Sequence, residues 1–581
     1  MMKIVNMINS GGIVMKSRWS LLLVLLCLIQ VIIGCSEKDN KAKDNMDKAK
    51  QYEKASNTAF GKYPETITYT LGKMTGNNNS NMPQGDTYEN NAYTRLLKEK
   101  LNVQNIDAFE GNDTDYNNMV VMAMSEKNIP DVMVIDDYKY LKLLVDNNMI
   151  EDLTDVYNKC ASDRMRDIYS GYGQGIFDNV TFNGKLMALP ETNIEHGPNM
   201  LWLRKDWMDK LGLNPPKTLD DAEYIIKQFI EKDPGGNGEG NTIGLVCSPE
   251  ITSEKGYSYM TQTDIIFANY NSYPKQWIKD KDGDIVYGSV SPESKEALAH
   301  MNKLYKEGIL DKQFLLRAQN NIQELIINGQ CGSFFSLWWA PNNPLIDSKK
   351  LDKDANWQPY MISTSKDGST SFCSQNPANK FIVVRKGYKH PEIVMKINSV
   401  LFDYLRCTDE SLDEISKYYK DNVDPTARPL SINVDYKDAL IRCYENITSA
   451  LNEKIEPYSL QLIEYSYYEQ CKKYLEDPKN ASPEDWAAYT SRITASSLLA
   501  DAKINRIKGV FYGETETMSK VWWKLEQLET QAYLKIITGE EPIDYFDKFV
   551  DEWYKEGGDK IIQEVSKEVE SYDNETNIKV N

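Results

Sequence analysis

Ile129–Asp136 reads IPDVMVID. Four apolar residues, three of them β-branched, stand between a proline and the carboxylates of Asp136 and Asp137. The run is too short for a helix, and unbroken apolarity is the pattern of a strand covered on both faces. A helix is expected after it. Upstream, TITYTL (Thr66–Leu71) alternates as a strand does, and Tyr88–Leu101 is expected to be helical, with Leu96, Leu97 and Leu101 on one side. Strand, helix, strand, helix predicts an α/β lobe with a mainly parallel sheet. Ligands of such sheets sit outside the carboxyl ends of the strands. Asp136 and Tyr138 lie at such an end and are candidate ligand contacts.

The pattern repeats downstream. NGKLMALPE (Asn183–Glu191) reads as a turn, a strand and a proline-marked exit, and MLWLRKDW (Met200–Trp207) as a strand entering a helix. Thr218 with Asp221 forms a capping-box signal, and Ala222, Ile225, Ile226, Phe229 and Ile230 give the helix one apolar face. Ser291, Pro292 and Gly308 delimit another helix. FIVVR (Phe381–Arg385) is a buried strand, and from Asp435 onward the chain reads almost entirely helical. Strands on both sides of Pro190, and again near Phe372, imply that the chain passes between two lobes more than once.

Bulk numbers bound the function. At 581 residues the chain is too long for one ordinary core. A net charge of −19 argues against a nucleic-acid partner, which needs a basic face. The nine cysteines form no CxxC pair, and the three histidines are far apart in sequence. HExxH, phosphate-loop and GxSxG motifs are absent. An enzyme with two carboxylates in a cleft, such as a glycoside hydrolase, stays open, because the 86 acidic residues make any one pair uninformative.

The N-terminus reads as an address. Lys16 and Arg18 precede an apolar run, Leu21–Ile33, which ends at Gly34-Cys35 and a polar stretch. The pattern resembles a bacterial lipobox, so residues 15–34 are expected to be a lipoprotein signal peptide, with Cys35 carrying the acyl chains, palmitate among them. Residues 1–14 fit no signal plan and are expected to lie upstream of a start at Met15. Residues 35–62 are expected to be a flexible tether.

DPGGNGEGNTIG (Asp233–Gly244) follows the spacing of a calcium loop in part. Asp233, Asn237 and Asn241 are candidate ligands, and Glu239 offers its backbone carbonyl. Gly235 and Gly244 stand where a standard loop has a side-chain ligand and a bidentate Glu. Calcium binding is a weak candidate here, and the expected cofactor is none.

An ordered set of stretches carries a resemblance: LWLRKDWMDKLGLNPPKTLDD (Leu201–Asp221), DPGGNGEGNTIGL, HMNKLYKEGIL (His300–Leu310), INGQCGSFFSLWWAP (Ile327–Pro341), FYGETETM (Phe511–Met518) and IDYFDKFVDEWYKEGGD (Ile543–Asp559). The chain resembles bacterial extracellular solute-binding proteins of the maltose-binding-like class, in particular the large lipoproteins serving oligosaccharide ABC importers. The resemblance implies a periplasmic-binding-protein-like fold: two α/β lobes with a hinge and a helical C-terminal region, in a type II-like flytrap. The expected lobes are 64–190 with about 365–434, and 191–364 with about 435–581. The implied function is non-catalytic capture of an oligosaccharide in the interlobe cleft, by a monomer that docks on a membrane permease whose ATPase is a separate polypeptide. A non-sugar solute such as a peptide is the alternative ligand.

Sugars need flat aromatic platforms together with carboxylates and amides. SLWWAP therefore offers Trp338 and Trp339. On an extended chain they face opposite ways, and Trp339 is favoured for the cleft. Tyr512 and Glu516 come from FYGETETM, and Glu191 from the first crossover. Trp522 and Trp523 read as core.

Overall fold

The computed structural model describes residues 46–76, 81–173, 175–253, 260–406, 412–421 and 423–575. Met15, the signal segment and Cys35 lie outside the described residues.

Two sheets organise the chain. The first runs in the order Val103–Gly111, Ile67–Met74, Val132–Ile135, Phe381–Val384, Leu189–Pro190. Its first three strands are parallel, and Phe381–Val384 lies antiparallel to both neighbours. Val132–Ile135 is buried along its whole length, as a strand covered on both faces must be. The second sheet runs Trp357–Tyr360, Met200–Arg204, Cys331–Ser336, Ile243–Leu245. Each sheet has its own apolar core, and the molecule is a two-lobed α/β protein. Helices from Ala439 to Asp501 pack Leu440, Trp486 and Leu499 in one apolar cluster with Trp202 and Trp357 of the second sheet and with Trp338 of the turn after Cys331–Ser336. The long helix Met518–Thr538 lies on Pro292–Glu307.

Local signals explain the helix ends. Thr218 accepts from the Asp221 N–H and the Asp221 carboxylate answers, closing a capping box. Ser291 caps and Gly308 ends Pro292–Glu307 in a left-handed conformation, φ 75°. The expected helix over Tyr88–Leu101 instead begins at Ala92. The Asn91 side chain accepts from the Tyr93 and Thr94 N–H groups and stops the helix from growing backward.

The tether expectation for residues 35–62 needs correction over its second half. Residues 46–56 are helical. The ammonium of Lys396, a buried residue of Ile393–Phe402, donates to the carbonyls of Ala55 (2.6 Å), Thr58 (2.8 Å) and Gly61 (2.8 Å). A charged donor satisfied by three carbonyls fixes this segment to the first lobe.

Three passages connect the lobes, and they are laced to one another. The N–H of Glu191 donates to the Lys380 carbonyl (2.9 Å), that of Thr192 to Asn433 (2.8 Å), that of Asn193 to Pro377 (2.8 Å) and that of Glu195 to Lys437 (2.8 Å). The second passage runs through 374–380, because Thr370–Cys373 still pairs with Ile504–Ile507 before the chain re-enters the first sheet. That is later than the boundary of about 365 expected from sequence. Among the described residues, no helix is long and apolar enough to cross a membrane, and Cys160, Cys247, Cys331, Cys373, Cys443 and Cys471 are free thiols.

Candidate functional site

A cavity of about 280 Å³ lies between the lobes. The first lobe contributes Asp137, Tyr138 and Lys139, at the carboxyl end of Val132–Ile135. The Asp137 side chain caps the following helix by accepting from the Lys139 N–H at 2.8 Å. That cap fixes where the helix starts, and so where Tyr138 points. Its ring stacks on Phe182 (6.5 Å, 18°) and meets Phe381 edge-on (6.5 Å, 69°).

The opposite wall comes from the second lobe and the C-terminal region. Trp277 and Tyr287 face each other across a hairpin, with ring centroids 5.0 Å apart. Met518, Trp522, Glu526 and Glu529 recur every three or four residues along Met518–Thr538, so one face of that helix lines the cavity. Trp522 packs edge-on to Tyr287 at 5.2 Å. Phe511–Glu514 closes the remaining side. The lobes are close here: the Lys142 ammonium reaches the Glu514 carbonyl (3.4 Å), and a Cβ on Gly513 would stand 3.6 Å from the Tyr138 ring.

Glu529 is the buried acid of the site, accepting from the Tyr287 hydroxyl at 2.9 Å. Burial pushes its carboxyl up to about 7, while the Lys275 charge and the hydroxyls of Tyr287 and Ser289 pull the other way. Behind the first-lobe wall, burial also raises the pKa of Asp136, whose Oδ1 has no hydrogen-bond partner among the described residues.

The structure sorts the sequence candidates. Tyr138 and Tyr512 line the cavity, and Tyr512 donates its hydroxyl to the Ser374 carbonyl of the second passage (3.0 Å). Asp136 sits just behind it. Glu191 is 7% exposed within the laced passages. Burial raises its pKa, opposed by the Lys380 charge and by the backbone N–H groups of Asn379, Asn433 and Lys380. Glu516 is exposed and pairs with Lys520 at 2.5 Å, outside the cavity lining.

The tandem tryptophans are not on extended chain, because the strand ends at Ser336 and a turn follows. Trp338 is 5% exposed, donates to His196 Nδ1 (3.2 Å), and has the Arg492 guanidinium 4.5 Å from its ring centre. Burial, and then Arg492, lower the His196 pKa to about 4, so the imidazole accepts this bond uncharged. Trp339 is half-buried against the same cluster. Trp522 is wall rather than core, and Trp523 is 66% exposed. Sequence reasoning missed Trp277, Tyr287, Glu526 and Glu529. The helical spacing from Met518 was the available signal, hidden because its apolar and charged members share one face.

The Asp233 loop does not fit a calcium ion. Asp233 accepts through Oδ1 from the Asn237 N–H (2.9 Å) and the Thr242 hydroxyl (2.6 Å), and through Oδ2 from the Gly238 N–H (2.8 Å). These bonds, Thr242 first, hold its carboxyl below the usual range. The Asn237 amide donates to the Gly329 carbonyl (3.0 Å) and the Asn241 amide to the Asn237 carbonyl (3.1 Å). Glu239 is exposed. A Cβ at Gly235 would lie 2.5 Å from the Trp207 ring, so no ligand side chain fits there. Among the described residues, no three His, Cys, Asp or Glu side chains are grouped to hold a metal ion.

Comparison with known proteins agrees with this architecture. A family model described as bacterial extracellular solute-binding protein matches residues 79–397. The polygalacturonan/rhamnogalacturonan-binding protein YtcQ of Bacillus subtilis (strain 168) is 23% identical over 457 residues, covering 76% of this chain and 81% of that protein. Lipoprotein LipO of the same organism is 23% identical over 471 residues, covering 78% and 84%. Among solved structures, the S. pneumoniae ABC-transporter substrate-binding protein FusA in complex with kestose shares the fold, with a TM-score of 0.58 at 14% identity, covering 87% of this chain and 99% of that one.

Proposed function

This chain belongs to the bacterial extracellular solute-binding protein family, and on that premise we propose that it captures an oligosaccharide between its lobes and hands it unaltered to the permease of an ABC importer. The observation that carries the proposal is the interlobe cavity, whose aromatic and carboxylate side chains come from both lobes. Rings such as Tyr138, Tyr512 and Trp522 offer platforms for the CH-rich faces of a sugar, while Asp137, Glu514 and Glu526 accept from its hydroxyls. Ligand favours the closed arrangement because only that arrangement presents both walls. The names of YtcQ and FusA, which speak of a pectic polymer and of fructo-oligosaccharide, support a carbohydrate ligand.

In this reading the acyl chains of Cys35 hold the protein on the extracytoplasmic face of the membrane, where it works as a monomer. ATP is hydrolysed by a partner polypeptide. Glu191 acts as a pin of the hinge, and the Asp233 loop as a metal-free turn.

Calorimetry against an oligosaccharide panel, with mass analysis of the ligand afterwards, tests the proposal. Stoichiometric binding with the glycan recovered intact is expected. Cleaved glycan would make the protein a hydrolase, and binding of peptides but no glycan would make it an importer subunit for another solute.

A further inference from the structure

We propose that the interlobe site selects a glycan without carboxylate groups and turns away uronate oligosaccharides. The inference rests on the sugar-binding reading above and names the class of sugar. Three carboxylates line the cavity, Asp137, Glu514 and Glu526, together with Glu529, whose carboxyl is raised to about 7, against two ammonium groups, Lys139 and Lys275. The balance is less favourable to an anion than the count suggests. Lys275 already acts on two buried acids, Glu529 and Asp264. Behind the Tyr138 ring stand further carboxylates, Glu568 and Asp146, whose charges reach its hydroxyl, against one further ammonium group, Lys142, which acts on Glu568.

A sugar carboxylate brought into this space would leave water for a low-dielectric cleft already carrying excess negative charge, where like charges repel strongly. A neutral sugar meets the opposite situation. Its hydroxyls donate to carboxylates that cannot donate themselves, and hydrogen bonds to a charged acceptor are the strong ones. The rings take its apolar face at no electrostatic cost. The preference would set this chain apart from a relative named for polygalacturonan, which is a polyacid.

The test uses one backbone in two charge states. A neutral oligosaccharide that binds is oxidised at its primary hydroxyls to the uronate form, and both are titrated calorimetrically at pH 7.5 in 150 mM salt. The oxidised form is expected to bind at least tenfold more weakly, and a smaller loss or a gain overturns the inference. The E514Q/E526Q double variant then separates charge from shape, with thermal melting to confirm that it folds. Its discrimination between the two forms is expected to shrink at least fivefold, and undiminished discrimination also overturns the inference. Should no neutral glycan bind while oligogalacturonate does, the charge assignment fails and the sugar reading stands. Should neither bind, the sugar reading itself falls, and the inference with it.

Discussion

Substitution of Glu191 separates two roles that the sequence leaves open, ligand contact and hinge pin. Its side chain is 7% exposed, and the backbone N–H groups of Asn379, Asn433 and Lys380 act on its carboxylate from the other two passages. E191A removes the buried carboxylate on which all three act. Truncating a buried polar side chain and leaving a small void costs about 1–3 kcal/mol, so E191A should destabilise the protein by about that amount. E191Q keeps one carbonyl oxygen and removes a charge that burial disfavours, so its stability should stay within about 1 kcal/mol of the parent. Urea unfolding of the ligand-free protein, followed by tryptophan fluorescence and repeated at neutral pH for each variant, measures the loss. The ligand dissociation constant of E191Q should stay within about threefold of the parent, which is under about 0.7 kcal/mol. An E191A protein as stable as the parent that has lost ligand affinity thirtyfold would refute the hinge role and return Glu191 to the binding site.

Three further outcomes are expected. Glu529 has a folded-state pKa raised to about 7, so the stability it contributes is fully present below its unfolded pKa of about 4.5 and is lost as pH rises through 7. E529Q should therefore melt like the parent at pH 5 and be more stable at pH 8, by up to about 3 kcal/mol, which melting curves at the two pH values will check. W522A removes a half-buried ring from the cavity wall and should weaken glycan binding by about 1–2 kcal/mol, seen calorimetrically as roughly a five- to thirtyfold rise in the dissociation constant. Replacing chelator with millimolar calcium should leave the melting temperature unchanged, whereas G235D, which drives a side chain into Trp207, should lower stability by about 1–3 kcal/mol without creating a calcium response.

What the sequence disclosed was local. Thr218 with Asp221, Ser291 with Gly308, and the apolar run Val132–Ile135 each determine their element through neighbours a few residues away, and each appears where its pattern puts it. Asn91 shows the limit of even this: a cap in the middle of an expected helix moved its start to Ala92. Nonlocal features were not legible. The pairing of Glu191 with 380 and of Thr192 with 433 depends on three segments that share no pattern. The tandem tryptophans looked like a sugar platform because aromatic residues at a strand exit suit one. The turn after Ser336 instead places Trp338 against His196 and Arg492. Of the cavity, the first-lobe wall was visible as a strand terminus and Tyr512 as part of a motif. Trp277 and Glu529 were not, because each looks like an ordinary member of its own hairpin or helix.

The clasp that Lys396 makes on Ala55, Thr58 and Gly61 has a mechanical consequence. Whatever restrains the polypeptide upstream of residue 46 pulls on one half of the molecule only. Were the chain anchored through Cys35 as proposed, that half would be moored and the opposite half would do the travelling when the jaws shut. A docking partner on the same surface would meet a stationary face and a swinging one, and could tell a loaded molecule from an empty one by where the second has come to rest.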